Sequence, residues 1–98
     1  MGAGQGSRAQ ELAVAYEIGF SARAAKDYDA LPAQMKQRVD RKLDYLRVSP
    51  RGPDTKKLKG GDNLYRTRVG SYRIVYEIND AELVVWILRI GKRDSIYK

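Results

Sequence analysis

The sequence predicts an α+β domain in which two helices pack on one face of a largely antiparallel sheet. Three observations support this fold class. Apolar residues alternate near the N-terminus, recur at helical spacing in the middle of the chain, and fill strand-forming segments in the second half. The expected order is an N-terminal strand, a two-helix hairpin and a three-stranded antiparallel meander. The 98 residues are enough for one such domain with a modest core.

The first predicted elements are a strand over residues 13–20 and a short helix. Apolar and other side chains alternate along the strand, which is typical of a strand with one buried face. Ser21 is a suitable N-cap for a helix that extends to about Ala30. Residues 1–11 are small and polar and are expected to form a flexible tail, which leaves residues 12–98 as a single domain.

A longer helix is predicted over residues 32–48, after the break at Leu31-Pro32. Its apolar residues recur at steps of three and four and form one stripe: Leu31, Met35, Val39, Leu43 and Leu46. Charges of both signs occupy the other positions, which indicates a solvated face rather than a helix that reads nucleic acid. Ser49-Pro50 ends the helix, and residues 51–62 form a basic loop or an irregular strand.

Residues 65–69 and 72–76 are predicted to form a β-hairpin around a two-residue Gly-Ser turn. This register places Arg68 directly opposite Arg73. Because side chains alternate across a strand, Arg66 shares the face of these two arginines, and apolar side chains share the other face. Like charges on paired positions are destabilising, so we expect this cationic face to bind an anion.

A carboxylate also belongs to the predicted cationic face. Glu77 falls on the same strand face as Arg73. It is either an acid/base group or, as the interpretation we favour, a salt-bridge partner for the hairpin arginines.

Residues 83–90 are almost continuously apolar, which predicts an interior strand covered on both faces. Gly91 ends this strand, and a basic tail follows. In that tail Arg93 is either a surface charge at the end of a strand or a phosphate ligand. Tyr97 is either a hydrophobic cap or a platform on which an unpaired base stacks.

The net charge of +7 is concentrated in two segments. Residues 51–73 and 89–98 hold 11 Lys and Arg against 3 Asp and Glu, a balance of +8; the remaining residues hold 8 against 9, a balance of −1. Such clustering favours a polyanionic partner over a generally basic, soluble surface, which is the alternative.

The composition excludes several classes of site. The chain has no cysteine and no histidine, so it has no disulfide, no thiolate metal site and no histidine acid or base. A conventional zinc site is therefore excluded, and we expect no cofactor. Apolar runs stay well short of the roughly 18 residues that span a bilayer, and a signal-peptide core is absent, so we expect a cytoplasmic protein without a membrane partner.

Several short motifs then follow one another in a fixed order: Leu31-Pro32, Ser49-Pro50, Lys57-Leu58-Lys59-Gly60, Tyr65-Arg66-Thr67-Arg68, Tyr72-Arg73-Ile74-Val75-Tyr76, Gly91-Lys92-Arg93 and Tyr97. In this order they resemble the RelE/ParE toxin superfamily, and more closely its RelE branch of ribosome-dependent mRNA interferases. The resemblance spans residues 16–97 and implies the RelE-like, microbial-RNase-like form of the α+β fold.

The resemblance also implies a function. Relatives of this kind are metal-free endoribonucleases that cut mRNA in the ribosomal A site and are held inactive by a cognate antitoxin. It assigns the catalytic positions to Arg66, Arg68, Arg73, Arg93 and Tyr97. Arginines stand at 66 and 68 where the best-known members have lysines. Further lysines are expected to bind mRNA or 16S rRNA: Lys56, Lys57, Lys59 and Lys92.

An enzyme without histidine can still cleave RNA, because the substrate carries its own nucleophile. The 2′-hydroxyl would attack the adjacent phosphorus and give a 2′,3′-cyclic phosphate and a 5′-hydroxyl, while fixed cations stabilise the charge that develops. Two other interpretations remain open at this point. One is a ParE-like toxin that poisons DNA gyrase, and the other is a non-catalytic nucleic-acid-binding module.

Overall fold

The computed structural model describes residues 15–92, which form two helices and one five-stranded sheet. In chain order the elements are β1 (Glu17–Phe20), α1 (Ala22–Asp29), α2 (Ala33–Val48), β2 (Thr55–Lys57), β3 (Leu64–Val69), β4 (Tyr72–Asn79) and β5 (Val84–Lys92). The sheet order is β1-β5-β4-β3-β2, with β1 parallel to β5 and every other pair antiparallel. The predicted α+β class and the β3-β4-β5 meander are confirmed. Neither helix is long and apolar enough to cross a membrane.

Helix α1 begins where the sequence predicts. The Ser21 hydroxyl accepts a hydrogen bond from the Ala24 N–H at 3.0 Å, so Ser21 is the N-cap. The same hydroxyl donates to the Leu88 carbonyl on β5 at 3.0 Å. The cap therefore also fixes the start of α1 against the sheet.

Helix α2 packs its apolar stripe on the sheet. Val39, Leu43 and Leu46 are buried in the core, and Met35 packs at its margin. Fully burying one such side chain contributes about 1.5–3 kcal/mol. The stripe is therefore what holds α2 in place, as its spacing predicts.

The core contains polar groups that are all satisfied within residues 15–92. Tyr76 is fully buried, and its hydroxyl donates to the Pro50 carbonyl at 2.6 Å. Burial raises the pKa of the Tyr76 hydroxyl above its ordinary value. Thr67 is also fully buried and donates to the Asp54 carbonyl at 3.2 Å. These two bonds tie the loop after α2 to the hairpin strands.

The structure differs from the prediction in three elements. Strand β1 covers only Glu17–Phe20 within the described part of the predicted range 13–20, and β5 does not end at Gly91 but continues to Lys92. The basic segment over 51–62 contains a three-residue edge strand, β2, which pairs with β3. Strand β5 is interior in the sheet, but the prediction that both of its faces are covered is wrong, because Trp86 remains 39% exposed. A Cβ atom at Gly19 on neighbouring β1 would lie 2.6 Å from the Trp86 ring. The indole ring of Trp86 thus lies over Gly19, and the β1 backbone covers one side of the ring.

A carboxylate joins three distant parts of the chain. Asp80, in the turn between β4 and β5, accepts hydrogen bonds from Arg51 Nη2 at 2.9 Å and from the Tyr16 hydroxyl at 2.6 Å. The Arg51 guanidinium also lies 5.5 Å from the ring centroid of Tyr65. The bonds from Arg51 and Tyr16 hold the pKa of Asp80 below its usual value, and the bond to Asp80 raises the pKa of Tyr16.

The lowered pKa gives Asp80 a testable effect on stability. Its contribution is present above the unfolded-state pKa of about 3.9 and is lost as pH falls through the lower folded-state pKa. We expect Asp80→Asn to reduce the free energy of unfolding at pH 7 and to flatten its decline below about pH 4. Urea unfolding across pH measures both effects. Asp62→Asn, at an exposed carboxylate, is the control, and an acid dependence of Asp80→Asn equal to that of the parent chain would contradict the prediction.

Candidate active site and nucleic-acid interface

The β3–β4 hairpin brings two guanidinium groups into register. Gly70, the first of its two turn residues, has φ of +60°, which suits a type II′ turn. Arg68 pairs with Arg73, and Arg66 pairs with Val75. The register predicted from the sequence is therefore confirmed.

The three hairpin arginines differ in exposure. Arg68 is exposed and Arg66 is partly buried, whereas Arg73 is only 9% exposed. Thr67 and Ile74, at alternating positions, are fully buried on the helix side, so the arginines lie on the opposite side of the sheet. The expectation that all three arginines line an uncovered face is correct about the side of the sheet. It is wrong about the exposure of Arg73, which is low because β4 is a central strand with neighbours on both sides.

The expected salt bridge to Glu77 does not form. Within residues 15–92, ion pairs join Arg23 to Asp27, Arg89 to Asp27, Lys42 to Asp54 and Arg51 to Asp80. None of these pairs includes Arg66, Arg68 or Glu77. Glu77 lies opposite Leu64 and Trp86, four residues and about 13 Å along the strand from Arg73. That separation is too long for an ion pair between Glu77 and Arg73.

The predicted RNA-binding lysines are not all on one surface. Lys56 on β2 pairs with Arg66 and therefore extends the row of cations. Lys57 pairs with Tyr65, and Lys92 pairs with Tyr72, so both are in register with residues of the helix side. The Lys92 ammonium lies 5.9 Å from the Tyr72 ring centroid. Lys59 is exposed in the loop that follows β2.

Two of the predicted catalytic residues, Arg93 and Tyr97, lie outside the described residues. Strand β5 ends at Lys92, and Gly91 is the register partner of Arg73 on β4. The last described residues of the chain are therefore beside Arg73. The roles of Arg93 and Tyr97 remain predictions.

Sequence reasoning missed how helix α2 separates its charges. Its acidic residues Asp40 and Asp44 line a groove of about 660 Å³ between the helices and β1, together with Glu17 and Asp29. With four carboxylates and a single cation, Arg47, in its lining, this groove is unsuited to a phosphodiester. The Tyr28 hydroxyl donates to Asp40 there at 2.7 Å.

The other side of α2 is cationic and lines a second groove, of about 350 Å³, beside the hairpin. We name it the β3-edge groove; its lining is Arg38, Arg41, Lys42, Tyr45, Arg68, Val69 and Gly70. At about 100° per residue, its α2 residues fall within roughly one third of the helix circumference, and Asp40 and Asp44 lie outside that arc. Plotting the charges by helical angle is the sequence signal that would have found this groove.

In chemical terms, the hairpin face offers fixed positive charge and hydrogen-bond donors. The described residues hold no group of three or more His, Cys, Asp or Glu side chains placed to bind a metal ion. Arg68 is the residue common to the hairpin face and the β3-edge groove. A phosphate bound at either surface would therefore meet guanidinium groups, which bind phosphate bidentately.

Comparisons with known proteins agree with this geometry. Residues 18–97 match the family model described as ParE toxin of type II toxin-antitoxin system, parDE. The mRNA interferase toxin RelE of Escherichia coli K12 is 32% identical over 83 residues, which cover 83% of this chain and 86% of that protein. Toxin RelG of Mycobacterium tuberculosis is 32% identical over 89 residues, which cover 85% and 97%.

Solved structures give the same result. The toxin in the intact E. coli RelBE toxin-antitoxin complex superposes with a TM-score of 0.73 at 32% identity, covering 81% of this chain and 98% of that one. The archaeal RelE-RelB complex of Pyrococcus horikoshii OT3 gives a TM-score of 0.72 at 29% identity, with 83% and 98% covered. The chain therefore belongs to the RelE/ParE superfamily of toxins from type II toxin–antitoxin systems, with its described relatives in the RelE group.

Proposed function

We propose that this chain is a ribosome-dependent mRNA interferase, an endoribonuclease that cuts mRNA in the ribosomal A site and so inhibits translation. The observation that carries the proposal is the pairing of Arg68 with Arg73 across the hairpin, with Arg66 on the same side of the sheet. Two guanidinium groups in paired positions are unfavourable for folding alone. They suit a ligand whose negative charge increases during the reaction. Relatives named mRNA interferase support the assignment.

The reaction is an attack of the substrate 2′-hydroxyl on the adjacent phosphorus. A bond forms between the 2′-oxygen and phosphorus as the bond to the 5′-oxygen breaks. The products are a 2′,3′-cyclic phosphate and a 5′-hydroxyl, with the nucleophile's proton lost to solvent and one proton gained by the leaving oxygen. Negative charge accumulates on the non-bridging oxygens, where Arg73 acts with Arg66 or Arg68.

The burial of Arg73 suits this role. A donor held away from water interacts more strongly with a developing charge than an exposed one, and it needs no reorganisation during the reaction. Arg68, which is exposed, can capture the phosphate first. Arg93 is proposed to relieve charge on the leaving 5′-oxygen, and Tyr97 to stack on a splayed base.

No general base is assigned to the protein. Arginine remains protonated at any ordinary pH, so the hairpin residues cannot accept the proton. Acid/base catalysis typically supplies about 10²–10⁴-fold, and the proposed enzyme forgoes part of that. Positioning of the mRNA by the ribosome takes its place, since an in-line arrangement lowers the barrier without any protein base. We propose further that the reaction needs no metal ion, because the hairpin arginines supply positive charge at the phosphate.

We propose two macromolecular partners in the cytoplasm. One is the programmed ribosome, through its mRNA and 16S rRNA. The other is a cognate antitoxin, because relatives of known structure are complexes of RelE with RelB. The lysines Lys56, Lys57, Lys59 and Lys92 are proposed to contribute to RNA binding.

A second candidate function is poisoning of DNA gyrase, since the matching family model describes ParE toxins. Such a toxin does not require the hairpin arginines for phosphodiester chemistry. The third interpretation, a non-catalytic nucleic-acid-binding module, predicts RNA binding without a cyclic phosphate product. The product and the effect of removing Arg73 separate all three.

The first prediction concerns Arg73. We expect Arg73→Gln to lower cleavage of a translated message by about 10²–10³-fold, because a preorganised donor to the developing charge is lost. Primer extension after induced expression measures the cuts, and growth measures toxicity. Arg23→Gln, at a side chain 64% exposed on α1, is the charge-matched control. Full toxicity of Arg73→Gln, combined with Arg93→Gln, would favour the gyrase mechanism instead.

The second prediction concerns the ribosome. We expect strong cleavage of mRNA on a programmed ribosome and little cleavage of the same mRNA free in solution, because the proposed reaction depends on positioning by the ribosome rather than on a protein base. Cleavage assays with purified protein compare the two substrates, and analysis of the 3′ ends tests for cyclic phosphate. Equal rates on both substrates would refute ribosome dependence.

The third prediction concerns Arg68 and links stability to activity. Arg68→Thr removes the like-charge pair, so we expect the free energy of unfolding to rise by roughly 0.2–1 kcal/mol while cleavage falls. Lys57→Thr, whose register partner on β3 is the uncharged Tyr65, is the matched control and should not stabilise the fold. Urea unfolding and the cleavage assay measure the two effects. A loss of stability in Arg68→Thr would show that the pair is not repulsive.

A further inference from the structure

The β3-edge groove lies at the end of strand β3, where its side away from β4 has no neighbouring strand. Strand β2 pairs only with residues 65–67 of β3, so the end of β3 at Arg68 and Val69 borders helix α2 instead. Arg38 and Arg41 project from successive turns of α2 on this side. The groove therefore has one wall from the helix and one wall from the hairpin.

The hairpin turn holds one of the arginines in position. A Cβ atom at Gly70 would lie 3.0 Å from Arg38 Nη1 and 3.3 Å from Nη2, so the guanidinium lies directly over this glycine. The positive φ of Gly70 permits the turn, and its missing side chain makes room for Arg38. The guanidinium of an exposed helical arginine is thus placed at the mouth of the groove.

Among residues 15–92, the lining of the groove includes no carboxylate. Lys42 forms an ion pair with Asp54, but no ion pair between residues of the range 15–92 involves Arg38, Arg41 or Arg68. All three arginines are exposed. A groove with three guanidinium groups and no internal counter-charge concentrates positive potential and attracts a polyanion.

We propose that the β3-edge groove binds the phosphodiester backbone of RNA and positions the substrate for the hairpin arginines. This inference rests on the proposed function and adds a binding surface, Arg38 and Arg41 on α2, to it. The groove is continuous with the hairpin face through Arg68, which pairs with Arg73. A backbone that follows the groove is thereby led to the proposed site of cleavage.

An RNA backbone fits the lining better than an acidic protein segment does. The apolar part of the groove is limited to Val69 and the ring of Tyr45, which is 37% exposed and lies under the Lys42 ammonium at 5.4 Å. Protein interfaces depend on large anchors in desolvated pockets, and the groove offers no such pocket. Phosphate contacts by contrast need only well-placed cations, and Arg38 and Arg41 act as positioning residues through them.

The test compares two doubly substituted chains. Arg38→Gln/Arg41→Gln removes two charges from the groove, and Arg23→Gln/Lys26→Gln removes two charges from the exposed surface of α1. Binding to mRNA-programmed ribosomes and to a labelled RNA hairpin is measured over a range of salt concentrations. For the groove variant we expect affinity to fall by about tenfold or more and the slope of log K against log salt to fall by about 2. The control should match the parent chain.

Cleavage separates positioning from chemistry. The groove variant should lose more in kcat/KM than in kcat, since most of its loss is in binding, whereas Arg73→Gln should lose kcat. Arg38→Lys/Arg41→Lys keeps both charges and should keep the salt slope. Thermal unfolding of each variant confirms that it is folded. If the groove variant loses binding to the RNA hairpin but still binds ribosomes, the groove binds free RNA. If it loses binding to ribosomes but still binds the RNA hairpin, the groove binds RNA on the ribosome.

The experiments distinguish a failure of the groove inference from a failure of the proposed nuclease function. Equal affinity and equal salt slope in the groove variant and its control would overturn the inference, even if the parent chain cuts mRNA in the A site. If the groove variant kept its affinity for ribosomes and RNA but lost antitoxin binding, the inference would also be overturned, and the groove would be a protein-binding surface. A parent chain that binds RNA through Arg38 and Arg41 but gives no cyclic phosphate would leave the groove standing and refute the nuclease.

Discussion

Two guanidinium groups stand opposite each other on paired strands, and the packing around the hairpin has to hold them there. The pairing of Arg68 with Arg73, taken by itself, opposes folding. The other side of the same hairpin supplies the compensation. Ile74 and Tyr76 are fully buried there, and each such burial contributes about 1.5–3 kcal/mol, more than one like-charge pair costs. The hairpin can therefore be cationic on one face because its other face is core.

Local patterns in the sequence were sufficient for the elements whose cause is local. The Gly-Ser turn determines the hairpin register, Ser21 caps α1, and the spacing of Val39, Leu43 and Leu46 determines which side of α2 meets the sheet. Each of these depends on backbone periodicity or on a bond to a residue a few positions away. The fold class and the arginine face follow from them, which is why both could be predicted.

The features that could not be predicted depend on residues far apart in the chain. Asp80 accepts from Arg51 and Tyr16, which are 29 and 64 positions away. The position of the exposed Trp86 side chain depends on Gly19 in β1, over which its ring lies. The apolar run in the sequence does not show whether a helix covers a face of the strand or a large side chain on that face stays partly exposed. Glu77 was assigned to Arg73 because both share a face, but a shared face does not bring residues at opposite ends of a strand together. The exposure of Arg73 likewise depends on both neighbouring strands.

The charge pattern of α2 is the clearest case in which composition hid an arrangement. Mixed charges along the helix suggested a merely solvated face, yet Asp40 and Asp44 turn towards β1 while Arg38 and Arg41 turn towards β3. One helix can thus border an acidic groove and a cationic groove at once, and a polyanion is directed to the side where the hairpin arginines lie.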